Sequence, residues 1–96
     1  MDRGVLVGRY MANIDGGIVI KVINHKGQTV EVPVKVLGNM LNNMNDYCKL
    51  DDVIGGRNYL EPDKEHGVSF VAEKITFLSS ETAGVTIGGE ADVNSR

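Results

Sequence analysis

Residues Thr29 to Leu50 read TVEVPVKVLGNMLNNMNDYCKL, and the hydrophobic period changes part-way along. From Thr29 to Val36 it is two: Val30, Val32, Val34 and Val36 fall on one side, Glu31, Pro33 and Lys35 on the other, the pattern of a strand with one face in a core. Pro33 has no N–H to give a ladder and belongs at a sheet edge or a bulge. Gly38 then breaks the strand. Leu37, Met40, Leu41, Met44, Tyr47 and Cys48 recur at three- and four-residue spacing, which predicts a helix over about 39–49 with Asn39 as its cap.

Upstream, Gly4 to Ile14 is a β-type run that ends in Asp15-Gly16-Gly17, a turn rich in residues that accept positive φ. Ile18 to Ile23 is apolar on both sides except at Lys21, which is expected to point outward from a second strand. His25-Lys26-Gly27-Gln28 joins that strand to the valine strand as a hairpin. Downstream, Asp51-Asp52 precedes a fourth strand, Val53 to Glu61, in which Gly55-Gly56 marks a bulge or sharp bend. Pro62 to Gly67 is a hairpin loop, and Val68 to about Leu78 is a fifth strand. Residues 81–96 contain three glycines and no aromatics and are expected to form a flexible C-terminal tail. Three strands, a helix and two strands make an all-β chain with one helix. We expect an OB-fold over residues 1–80, a five-stranded Greek-key barrel with the helix between strands 3 and 4, whose glycine pairs let strands bend. A sheet with one helix packed on it is the alternative.

The chain has 96 residues, enough for one domain, with ordinary globular usage: 42% hydrophobic and 24% charged. No apolar run approaches the roughly 18 residues of a membrane span, and Val5-Leu6-Val7 is too short for the apolar region of a signal peptide, about 7 to 15 residues, so a cytoplasmic location is expected. Cys48 is the one cysteine, which excludes a disulfide scaffold. The net charge of −3 conceals a division: residues 1–40 carry a net +2, residues 41–96 the excess acid. Catalytic patterns are lacking. His25 and His66 fall in expected turns, Cys48 on an apolar helix face beside Asp46, Asp51 and Asp52, and no Cys-x-x-Cys, His-Glu-x-x-His or phosphate-loop spacing occurs. We therefore expect no enzyme, no catalytic residue, no metal site and no cofactor. Cys48 is expected to pack, as are Phe70 and Phe77.

Val5-Leu6-Val7-Gly8-Arg9 resembles the opening strand of bacterial single-stranded DNA-binding proteins. Asp52-Val53-Ile54 with Gly56-Arg57-Asn58-Tyr59 resembles that family's fourth-strand region, and Phe70 to Ser80, FVAEKITFLSS, is similar to its closing strand. The three stretches stand in the family's order and together cover about residues 1–80. The resemblance implies a shortened, divergent member of the kind carried by a phage or mobile element. Short turns replace the family's long loops, Leu37 stands where a tryptophan is usual, and the ending Asp92-Val93-Asn94-Ser95-Arg96 lacks the family's acidic, aromatic-capped tail, which recruits replication proteins.

Single strands are held by cations that track the phosphates and by rings on which bases stack. The candidates are Arg9 and Tyr10 at the end of strand 1, Lys21 and Lys35 on strands 2 and 3, and Arg57 and Tyr59 on strand 4. Two rings contribute a few kcal/mol at most, at about 1–3 kcal/mol per base, so a homo-oligomer, dimer or tetramer, is expected to supply avidity. The leading function is sequence-nonspecific binding of single-stranded DNA in replication or recombination. A partner-binding OB module of a primosome or replication complex, with weak or lost DNA binding, is the alternative, and an OB barrel serving as an assembly subunit is a third reading.

Overall fold

The structure is a computed structural model that describes residues 3–65, 67–79 and 83–88, with the side chain of residue 3 left aside. β1 (Arg3–Ile14), β2 (Gly17–Ile23) and β3 (Thr29–Lys35) form a meander, α1 (Gly38–Met44) follows, and β4 (Val53–Asp63) and β5 (Gly67–Phe77) form a second hairpin. A short β6 (Thr86–Gly88) adds to the outer side of β5. The order across the sheet is β3-β2-β1-β4-β5-β6, and a parallel contact of Val34 and Lys35 with Phe70 and Val71 joins β3 to β5. That contact closes β1–β5 into a five-stranded barrel with the helix between strands 3 and 4, the OB-fold arrangement expected from the element order.

The core is aliphatic. Ile18, Ile20, Val34, Val36, Ile54, Ala72 and Ile75 fill the barrel, Phe77 at the end of β5 is fully buried against the Tyr47 ring, and Met40 and Met44 of α1 pack into the same cluster. Two glycines are set by close backbone approach: a Cβ on Gly17 would lie 2.1 Å from the Val34 carbonyl oxygen, and one on Gly8 2.7 Å from that of Lys21. Gly8 is where β1 leaves β2. β1 pairs with β2 from Arg9 to Ile14 and with β4 from Arg3 to Arg9, so one strand serves two walls.

Several expectations are corrected. The helix ends at Met44, because Asn42, Asn43, Asn45 and Asp46 favour turns over helix; Tyr47 and Cys48 are carried by turn bonds to the Met44 carbonyl. Asn39 lies inside the helix, and Leu37, exposed, is the cap residue with no side-chain cap bond. The valine face is buried only in its second half: Val34 and Val36 are in the core, Val32 is half-buried and Val30 is 42% exposed, since β2 and β3 run past the barrel as a hairpin. The bulges fall at Met11, opposite the Ile20/Val19 step, and at Glu73, opposite Arg57/Asn58, not at Gly55-Gly56. β4 runs on through Pro62 to Asp63. Pro33 does stand at an edge, since β3 has a second neighbour only at Val34 and Lys35. Thr86–Gly88 is a strand with Ile87 buried, which corrects the expected flexible tail there; residues 81–82 and 89–96 of that tail lie outside the described residues.

Candidate nucleic-acid interface

Strand alternation sorts the six candidate residues between the two faces of the barrel wall. On β1, Leu6 and Gly8 turn inward while Val5, Val7 and Arg9 turn out; on β4, Ile54, Gly56 and Asn58 turn inward and Arg57 turns out. Arg9 is the register partner of Lys21 on β2, so two cations stand side by side on the outer wall. The Arg9 guanidinium donates to the carbonyl of Asp51 at 2.9 Å, which fixes its direction. Asp51 holds a left-handed backbone, φ 70°, a conformation aspartate tolerates better than most residues. The N–H of Asp51 donates to the Tyr10 carbonyl and that of Tyr10 to the Asp52 carbonyl, tying this loop to β1. Lys21 is half-buried rather than exposed, and Glu31 lies across from it on β3. Arg57 pairs in register with Val5 on one side and Lys74 on the other; Tyr59, half-buried, lies two residues further along the same strand.

Tyr10 is on the other face. It pairs with buried Ile20, its ring packs on the core, its hydroxyl donates to Asn13 Oδ1 at 2.7 Å, and Asn13 Nδ2 donates in turn to Asn45 Oδ1 at 2.8 Å. Burial, and then the nearby Cys48, push its phenol above the usual range. Tyr10 is thus a packing residue whose ring is spoken for, and Tyr59 is the ring left on the outer wall.

Lys35 lies further along β3 than Glu31, the register partner of Lys21, and its own partner on β2 is Gly17. Its ammonium lies 3.4 Å from Glu61 and 4.0 Å from Asp63. It borders a cleft of about 520 Å³ between the β1–β2 turn, β3 and the β4–β5 hairpin, floored by Val32, Val34, Val68 and Phe70 and rimmed by Asp15, Asp63 and Glu65. Three carboxylates against one lysine make this cleft acidic, although it lies among the barrel's loops where the first-half charge excess would suggest the opposite. Phe70 is half-buried and forms the floor of this cleft as well as the edge of the core.

Cys48 packs against the core, and its thiol is pushed up to about 11 by burial and then by Asp52, so it is protonated at neutral pH and a poor nucleophile. Among the described residues no group of three His, Cys, Asp or Glu side chains is placed to hold a metal ion, and no helix is long and apolar enough to cross a membrane. The sequence reading passed over Lys74, which the register sets beside Arg57, and the hairpin tip with Ile23 72% exposed next to Lys26. An apolar residue beside a predicted turn was the available signal for the tip.

No model of a known protein family and no curated protein matches this chain in sequence. Solved structures do match in fold. A crystal structure of the S. cerevisiae mitochondrial single-stranded DNA-binding protein Rim1 superposes with a TM-score of 0.65 at 17% identity, over 83% of this chain and 99% of that one. A second crystal form of Rim1 gives 0.64 at 16% identity, over 88% and 97%. The barrel described above is therefore the fold seen in single-stranded DNA-binding proteins.

Proposed function

We propose that this chain binds single-stranded DNA without sequence preference, in replication or recombination and without catalysis. The observation that carries the proposal is the Arg9–Lys21 pair on the outer wall of a barrel that shares its fold with Rim1. Arg57 extends the cationic surface along β4, and Tyr59 offers a half-exposed ring to one base. Lys35 is left out, because Glu61 and Asp63 already answer its charge.

A homo-oligomer belongs to the same proposal. On the β2 side, the β1 edge from Arg3 to Gly8 has no partner strand among the described residues. Beside it Val5 and Val7 are 70% and 51% exposed, and Leu78, 49% exposed, reaches the same surface across Gly55. An unpaired edge flanked by exposed apolar side chains favours pairing with the same edge of a second copy about a two-fold axis.

Fluorescence polarisation tests DNA binding. A thymine oligomer of about 30 nucleotides, long enough for two OB footprints, should bind more tightly than a duplex of the same length. The affinity should fall between about 50 and 200 mM salt, with a slope of about 0.7 per phosphate neutralised. Absence of binding at both salts would instead favour the partner-binding module, the alternative that the acidic cleft supports.

A further inference from the structure

The acidic cleft and the tip of the β2–β3 hairpin are opposite in shape and in charge, and both lie on β3. At the tip, Ile23 is 72% exposed on one face of the hairpin and Val30 42% on the other, beside exposed His25 and Lys26. No carboxylate occurs between Lys21 and Val30. The turn is held rigid by Asn24: its Oδ1 accepts from the N–H groups of Lys26 and Gln28, both at 2.9 Å, and its backbone N–H donates to the Gln28 carbonyl. A pre-ordered apolar projection loses little freedom on insertion.

The receiving surface is the cleft between β3 and the β4–β5 hairpin. Val32, Val34, Val68 and Phe70 floor it, and Asp15, Asp63 and Glu65 stand at its rim. Its volume of about 520 Å³ falls in the range of sites that enclose small ligands, about 300–1,000 Å³. It exists because β3 meets β5 only at Val34 and Lys35, leaving the β4–β5 hairpin splayed from the rest of β3. The acids repel phosphate and attract a basic segment.

We propose that this cleft takes the β2–β3 hairpin tip of a second copy of this chain, with Ile23 entering over Val68 and Phe70 and Lys26 meeting Asp63 and Glu65. Each copy carries both halves on the one strand, the tip at Thr29 and Val30 and the cleft from Val32 to Lys35, so the contact joins unlike surfaces and repeats head to tail. It uses neither the β1 edge nor the Arg9–Lys21 wall, and it holds whether or not the chain binds DNA. On a single strand it would add copies side by side.

The test is sedimentation velocity of the full chain without DNA, over a concentration series at low salt. The wild type should grow in mass without a plateau, and added salt should reverse the growth. Ile23→Asp and Val68→Asp, both at exposed positions that leave the core intact, should each stop growth at a fixed mass and weaken the contact at least tenfold. Mixing the two variants should restore one contact, since the first keeps its cleft and the second its tip. Lys26→Glu should weaken growth and Lys26→Glu with Glu65→Lys should restore it. A wild-type mass that reaches a plateau and is unchanged in Ile23→Asp overturns the proposal, as does continued growth of either Asp variant alone. A fixed mass together with capture of an alternating valine–lysine peptide by the cleft would place a foreign segment there and also overturn it.

Discussion

The outer wall of β1, β2 and β4 and the cleft beside β3 each carry lysine or arginine, yet of Arg9, Lys21 and Lys35 it is Lys35, in the cleft, that stands within ion-pair distance of carboxylates. On the wall, Arg9 and Lys21 are cross-strand neighbours, and Arg9 is steered by a neutral carbonyl that leaves its charge uncompensated. In the cleft, Lys35 faces Glu61 and Asp63 from the next hairpin, with Asp15 and Glu65 nearby. Charge counted along the chain assigns all three cations to one basic half. What separates them is reach to a carboxylate: Glu31 lies in register across from Lys21, but it is Lys35 that Glu61 and Asp63 approach to 3.4 and 4.0 Å.

The largest effect should fall on wall and cleft together. Phe77→Ala, which opens a cavity where the two surfaces share a core, should cost about 3–5 kcal/mol. Chemical denaturation should then give one transition at a lower midpoint; two transitions would mean that wall and cleft are independent units. Next, Arg9→Ala with Lys21→Ala should reduce single-strand affinity at least tenfold and lower the salt slope by about 1.4, at about 0.7 per phosphate contact. Lys35→Ala should leave both near the wild-type values. Equal losses in polarisation titrations of the two variants would erase the distinction between the surfaces. A smaller gain is expected from Asp63→Asn with Glu65→Gln: about 1.5- to 5-fold tighter DNA binding at low salt, the scale of an exposed charge interaction of about 0.2–1 kcal/mol, absent at high salt.

The smallest effect concerns neither surface directly. Cys48 holds its proton up to about 11 in the fold, against an ordinary value of 9.0. The native state therefore keeps a proton that the unfolded chain gives up, and stability should decline as pH rises from about 9 through about 11. Melting temperatures of wild type and Cys48→Ala plotted against pH should run parallel below that window, offset by the lost packing, and differ in slope within it. A thiol reagent at pH 8 should label the folded protein more slowly than the unfolded one.

The barrel was legible because strand alternation and the helical spacing of Met40, Leu41 and Met44 are local signals that the core later uses. Features set by contact between distant segments were not. The bulges at Met11 and Glu73 arise from mismatched register between neighbouring strands, which no single segment encodes. β6 is three residues of unremarkable sequence, ordered because β5 offers it an edge and Ile87 a place in the core. At the site, Lys35 and Lys21 read alike, since the carboxylate that engages Lys35 comes from 26 residues further along. Tyr10 follows Leu6 and Gly8 on the inward side of β1, so alternation alone separates it from its neighbour Arg9, and the two could not both face one strand of DNA from the same wall.

The seam between β3 and β5 has a kinetic meaning beyond its geometry. Two register pairs, Val34 with Phe70 and Lys35 with Val71, close the barrel between segments far apart in the chain, whereas β1–β2, β2–β3 and β4–β5 join neighbours across short turns. Closing a long loop is entropically costly and is repaid here by only a brief ladder. The hairpins should therefore form first and the seam last, and in the native protein it should be the first ladder to breathe. Amide hydrogens that bond across this seam, rather than those facing β2 or β4, then report an open, clasp-released form of the barrel that exchanges with the closed one while both hairpins stay intact.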